Sequence, residues 1–96
     1  MTTNLFVIDL TYVAPLEEVD RLVESHRAFL KANYDAGCFL VSGPKDPRIG
    51  GVILARGQSC EEIERIIEND PFKRECVADY AVIQFVPVMS ADDFPE

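Results

Sequence analysis

The chain has 96 residues, 48% hydrophobic and 27% charged, with a formal net charge of -8 at neutral pH. That length holds one hydrophobic core and excludes two. An acidic chain with no stripe of Lys and Arg also argues against nucleic acid and against an anionic membrane surface as partners.

Leu5 to Tyr12 is apolar and rich in β-branched residues, and reads as a strand. Pro15 suits the first turn of a helix, with Glu17 and Glu18 at its positive end. Leu16, Val19, Leu22, Val23, Phe29 and Leu30 fall at helical spacing, so this helix is expected to reach about Asp35, where Gly37 stops it. Cys38 to Ser42 reads as a second strand ended by Gly43-Pro44. A polar loop through Asp46, Pro47 and Arg48 then leads to Gly50-Gly51 and a third strand, Val52 to Arg56. Ser59-Cys60-Glu61-Glu62 has the form of a capping box, in which Ser and Glu satisfy each other's free amides, and the helix after it turns Ile63, Ile66 and Ile67 inward. Pro71 ends that helix and begins one further turn through Cys76. Tyr80 to Val88 is the last strand, and Ser90 to Glu96 is expected to be an extended acidic tail.

The order β-α-β-β-α-β, with right-handed crossovers, predicts an α+β fold: a ferredoxin-like sandwich with a four-stranded antiparallel sheet and both helices on one face. One domain over residues 1–96 is expected, with its core at about 4–88 and the tail at 89–96. Both parities of the first and last strands are partly apolar: Phe6, Ile8 and Leu10 against Leu5 and Val7, then Val82, Val86 and Val88 against Ala81, Ile83 and Phe85. Two helices cover only one face of a sheet, so the other is expected to pack against a second copy as a homodimer.

Cys38, Cys60 and Cys76 are odd in number and far apart, which fits neither a disulfide framework nor a zinc site, and they are expected to be buried or half-buried free thiols. No apolar stretch approaches the roughly 18 residues of a membrane span, and the N-terminus has no signal-peptide pattern, so a cytoplasmic protein is expected. With one histidine, no metal-ligand spacing, no P-loop and no dinucleotide fingerprint, neither a metal nor a cofactor is expected.

His26, the sole histidine, is the only side chain whose ordinary titration lies near neutral pH. It shares a helix stripe with Val19, Val23 and Leu30, so it is either a core histidine satisfied by a neighbour or a general acid/base oriented by a carboxylate. Asp70 is the carboxylate most suited to that, although Asp-Pro-Phe is also a plain helix start; one oxygen can cap while the other meets His26. Ser42-Gly43-Pro44 is either a simple turn or a place where missing side-chain bulk lets a ligand reach the backbone. Asp9, an acid within an apolar strand, lines a cleft or sits at a wetter end of the sheet. Cys60, near a helix start, is a minor candidate nucleophile. An anionic ligand would have to find a local basic spot, for which Arg27, Lys45 and Arg48 are the candidates.

Taken in order, His26-Arg27-Ala28-Phe29-Leu30, Gly37, Ser42-Gly43-Pro44, Gly50-Gly51 and Asp70-Pro71-Phe72 resemble the YciI-like (YCII-related) family over roughly residues 4 to 88. The resemblance implies a dimeric α+β barrel and an active site built on the counterparts of His26 and Asp70. Many members carry an Arg one turn before the His, where this chain has Val23. Reactions known for a family relative and for a protein of the same fold, a dehydrochlorination and a lactone isomerisation, point to lyase or isomerase chemistry. The expected function is therefore a cofactorless enzyme that moves protons on a small ring or enol-type metabolite. His26 would act as acid/base and Asp70 as its orienting partner, in a largely apolar pocket lined by Ser42, Gly43, Phe72 and Asp9. The alternative is a non-catalytic small-molecule-binding or accessory module, in which the His-Asp pair is structural.

Overall fold

Alternation along the first strand decides which face of the sheet the helices cover. In the computed structural model, which describes residues 4–94, that strand is β1 (Asn4–Tyr12). It is followed by α1 (Leu16–Arg21), α2 (Val23–Asp35), β2 (Phe39–Pro44), β3 (Gly50–Gly57), α3 (Cys60–Ile67), α4 (Pro71–Arg74) and β4 (Ala78–Phe85). The strands lie in the order β2-β3-β1-β4, each antiparallel to its neighbours. The fold is the expected ferredoxin-like α+β sandwich.

Successive strand residues point to opposite faces. Phe6, Ile8 and Leu10 are buried; Ala55 and Ile53 on β3 are the register partners of Phe6 and Ile8, and all five lie in one core with Val19, Phe29, Ile63 and Phe72 from the helices. Each such large apolar side chain contributes about 1.5–3 kcal/mol through burial. The opposite parity sets Val7 between Leu54 and Ile83, and Asp9 between Val52 and Ala81. On that open face Val41, Ile83, Val52 and Phe85 are 58%, 57%, 40% and 41% exposed.

Several boundaries differ from the sequence expectation. The single helix expected from Pro15 to Asp35 is two, because Leu22 (φ -105°, ψ 1°) leaves the helical region. Its N–H bonds the Val19 carbonyl at 2.9 Å, an i to i-3 link that tightens and ends α1, while its side chain stays in the core. Gly50 and Gly51 belong to β3 rather than to the turn before it. A Cβ on Gly50 would lie 1.9 Å from the Leu10 carbonyl oxygen, so only glycine permits this approach of β3 to β1. β2 starts at Phe39 and carries a register shift between Phe39 and Val41. β4 starts two residues early and stops at Phe85, before Pro87, which has no N–H to donate.

The Ser59 hydroxyl accepts from the Glu62 N–H at 3.2 Å, but Glu62 Oε1 accepts from Gln58 N–H rather than Ser59 N–H, so the capping box is offset by one residue. The last turn ends at Arg74, and Cys76 follows in the left-handed region (φ 60°). Cys76 N–H bonds Lys73 O and Val77 N–H bonds Phe72 O, each at 3.1 Å, the pattern of a Schellman turn. Cys38, Cys60 and Cys76 are free thiols, Cys76 being exposed rather than buried. The expected extended tail runs past the described residues; within them it turns at Asp92-Asp93, with Phe94 N–H donating to Ala91 O at 3.1 Å. No described helix is long and apolar enough to cross a membrane.

Gly50→Ala should lower unfolding free energy in a urea titration by about 1–3 kcal/mol, the range for forced overpacking. Gly43→Ala, where an added Cβ meets nothing within 4 Å, should change it by less than about 0.5 kcal/mol. Equal effects at the two positions would contradict the close approach of β1 and β3.

Candidate functional site

Asp70 is buried by the way α4 begins. It has extended φ and ψ (-74°, 124°), Pro71 supplies the first helical residue with its preset φ, and the Asp70 side chain accepts the Phe72 N–H at 3.0 Å. The sequence expectation of a capped helical start is therefore met. Asp70 is also 0% exposed, the one charged residue among the buried positions described.

A buried carboxylate must be compensated. Asp70 Oδ1 faces His26 Nδ1 at 2.8 Å as well as the Phe72 N–H, and Oδ2 accepts the Tyr80 hydroxyl. The cap and the histidine contact were expected on different oxygens, but they share one, and the second oxygen goes to Tyr80. Three donors meet a carboxylate that, when ionised, only accepts. The proton between His26 and Asp70 is therefore assigned to Nδ1, and Nε2 is left with its lone pair.

His26 lies in the first turn of α2, its backbone N–H on the Leu22 carbonyl at 2.9 Å, and its side chain is 14% exposed. Phe72 lies flat against the imidazole, with ring centroids 4.0 Å apart and planes 7° from parallel. Phe29 lies 6.3 Å away at 29°, and Tyr12 meets Phe72 edge-on at 6.0 Å. With one ring face covered by Phe72 and Nδ1 occupied, Nε2 is the ring nitrogen of His26 with no hydrogen-bond partner among the described residues.

His26 and Phe72 border a cavity of about 550 Å³ between the first two helices and the β2–β3 hairpin. Ser42 and Gly43 line it as well, together with Tyr12, Leu30 and Ile53, in the size range of small-molecule sites. Ser42 is held by the Tyr34 hydroxyl at 2.5 Å. Arg48 lines the cavity too, with its guanidinium 2.7 Å from Asp20 and 5.7 Å from the Tyr12 ring centroid; Arg27 is a further cation of the lining. Asp9 is not brought to this cavity. It projects from the open face of the sheet and pairs with Lys45 at 2.7 Å. Cys60, outside the cavity lining, has its thiol pushed upward by burial and by Glu64, the reverse of what activates a nucleophile.

Tyr80 is the site residue that sequence reading missed. Its signals were its parity with Val82 and its place shortly after Asp-Pro-Phe, neither of which marks a tyrosine as a carboxylate partner. Burial first, then the charge of Asp70 and the hydrogen bond to it, push its phenol far above the ordinary tyrosine range, so it stays a donor.

No curated protein matches the chain in sequence. Among solved structures the fold is similar to that of the 5-chloro-2-hydroxyhydroquinone dehydrochlorinase TftG from Burkholderia phenoliruptrix AC1100, in complex with 2,5-dihydroxybenzoquinone. The TM-score is 0.72 at 22% sequence identity, covering 84% of this chain and 92% of that one. At that identity the likeness shows the fold. The model of the YCII-related domain matches residues 4–86, a span that takes in His26, Asp70 and Tyr80, and the chain belongs to that family.

Proposed function

We propose that the protein is a cofactorless enzyme that transfers protons on a small ring or enol-type metabolite, as a lyase or isomerase. The observation that carries this reading is a histidine beside a 550 Å³ cavity whose Nδ1 is committed to a fully buried carboxylate. Nε2 takes a proton from a hydroxyl or acidified carbon of the bound ring, and the imidazolium that forms is stabilised by Asp70. The same nitrogen returns the proton at another atom in an isomerisation; in an elimination the carbon–halogen bond breaks, the halide leaves with its electron pair, and the proton on Nε2 passes to solvent. The apolar walls favour a planar ring, and Ser42, Arg27 and Arg48 supply its polar contacts. The hydroquinone named for the structural neighbour is a ring of this kind and makes a natural first probe. Free Cys38, Cys60 and Cys76 are in keeping with a reducing cytoplasm.

A second reading, a non-catalytic binding module, is favoured by one observation: Asp70 links three elements and caps α4 through hydrogen bonds within the protein. Two conservative variants separate the readings. His26→Gln keeps a donor for Asp70 but has no base, and Asp70→Asn keeps an acceptor for the Phe72 N–H but no charge. Turnover is to be screened over phenolic and lactone metabolites, beginning with chloride release from 5-chloro-2-hydroxyhydroquinone. Both variants should lower it by about 10²–10⁴-fold while the circular dichroism spectrum stays native. Full activity in His26→Gln, or no His26-dependent turnover anywhere in the panel, would overturn the enzymatic reading.

The chain is further proposed to pair as a homodimer through the open sheet face, where Val41, Ile83 and Phe85 are exposed together. Sedimentation at micromolar concentration should give the mass of two chains, and Ile83→Asp should reduce it to one. A single-chain mass for the unaltered protein would sink the dimer.

A further inference from the structure

The carboxylate that orients His26 has a third donor for which the proton transfer itself has no need. Asp70 Oδ1 is divided between His26 Nδ1 at 2.8 Å and the Phe72 N–H at 3.0 Å, whereas Oδ2 is met, among the described residues, by the Tyr80 hydroxyl alone. We infer that Tyr80 is a positioning residue for the His26 site, acting through Asp70: its hydroxyl proton fixes the carboxylate plane and sets how strongly Oδ1 holds the proton on His26 Nδ1. The inference deepens the reading of His26 and Asp70 as the working pair and rests on it.

The physics is that of one shared charge. The two oxygens of a carboxylate draw on the same electron density, so a donor at Oδ2 weakens Oδ1 as an acceptor, and linked hydrogen bonds in a site with little water polarise one another. Because Asp70 is 0% exposed, little solvent competes with Tyr80 for that oxygen. The backbone holds Tyr80 in place. Tyr80 stands opposite Leu10 in the β1–β4 register, on the helix-covered side, and the turn at Cys76 returns the chain to the sheet just before it. Phenylalanine at this position would fill the same space and lack only the proton that matters.

Tyr80 itself reaches a second cleft that neither His26 nor Asp70 lines. It lines a smaller, more polar cleft of about 280 Å³ with Glu64, Glu68 and Lys73, and the Lys73 ammonium lies 5.8 Å from its ring centroid. The chain His26–Asp70–Tyr80 therefore connects the main cavity with a separate cleft. The bland competitor is a structural stitch, in which Tyr80 ties β4 to α4 and has no influence on the imidazole.

The proton NMR signal of His26 Nδ1–H separates the two, since it moves downfield as the hydrogen bond strengthens. Four samples are compared: the unaltered protein and Tyr80→Phe, each with natural tyrosine and with 3-fluorotyrosine, whose more acidic phenol is a stronger donor. Tyr80→Phe should move the signal downfield and fluorotyrosine in the unaltered protein should move it upfield. Fluorotyrosine in Tyr80→Phe should leave it where that variant already has it, which shows that Tyr12 and Tyr34 are not responsible. An unmoved signal in all four samples, with only the melting temperature lowered by Tyr80→Phe, would overturn the inference. If Tyr80→Phe does not fold, the labelled unaltered protein decides: an upfield shift supports the role of Tyr80, and no shift refutes it. The readout needs no turnover, so an inactive protein still tests Tyr80, and an unmoved signal leaves the turnover assay of His26 standing.

Discussion

A carboxylate cut off from water is tolerated only when donors reach it from the protein, and in this molecule that requirement falls on Asp70. Its donors come from three places in the chain: the imidazole on α2, the first free amide of α4 and the phenol on β4. None is a sequence neighbour of another, so the carboxylate can be satisfied only when the helices and the edge strand are docked together. Leaving a buried polar group without one of its hydrogen-bond partners commonly costs about 1–3 kcal/mol, and more when that group is charged. The orientation of His26 thus follows from what Asp70 needs in order to be buried at all.

That constraint shapes the chemistry available. Stacking of Phe72 on the imidazole at 4.0 Å covers one ring face, and the bond to Asp70 occupies Nδ1. What remains is the Nε2 edge beside a cavity walled by Tyr12, Leu30 and Ile53 and edged by Ser42, Arg27 and Arg48. On the proposed reading, His26 is the single base in these surroundings and moves a proton between two atoms of one small molecule. The other side of the sheet has a separate character: Val7, Leu54 and Ile83 lie side by side there, with the Asp9–Lys45 pair on the same face. Both characters come from one strand, whose alternate residues divide between core and open face.

The fold was legible because its signals are periodic. Phe6, Ile8 and Leu10 announce a covered strand face, Ile63 and Ile67 a helix stripe, and Ser59 with Glu62 a helix start. The break at Leu22 was not legible, since an apolar helix former gives no sign of where a helix ends. Gly50-Gly51 misled for the opposite reason: glycine usually signals a turn, yet here it is strand backbone that must pass the Leu10 carbonyl. For the site, residue identity was readable and geometry was not. His26 and Asp70 stand out as titratable groups in apolar segments, but that one oxygen serves both cap and imidazole depends on the dihedrals at Asp70. Tyr80 enters only through the strand register and the left-handed turn at Cys76, neither of which local composition records. Asp9 drew attention as an acid among apolar residues, and its explanation is Lys45 across the open face.

The proposed roles of His26 as base and Asp70 as its partner both depend on which ring nitrogen carries the proton in the neutral imidazole. Nitrogen-15 NMR of labelled protein reads this directly from the two ring nitrogens. A protonated Nδ1 with a downfield hydrogen-bonded proton and an unprotonated Nε2 are expected, an arrangement that Asp70→Asn disturbs. A neutral ring protonated at Nε2, or one whose nitrogens ignore the loss of the Asp70 charge, would contradict it.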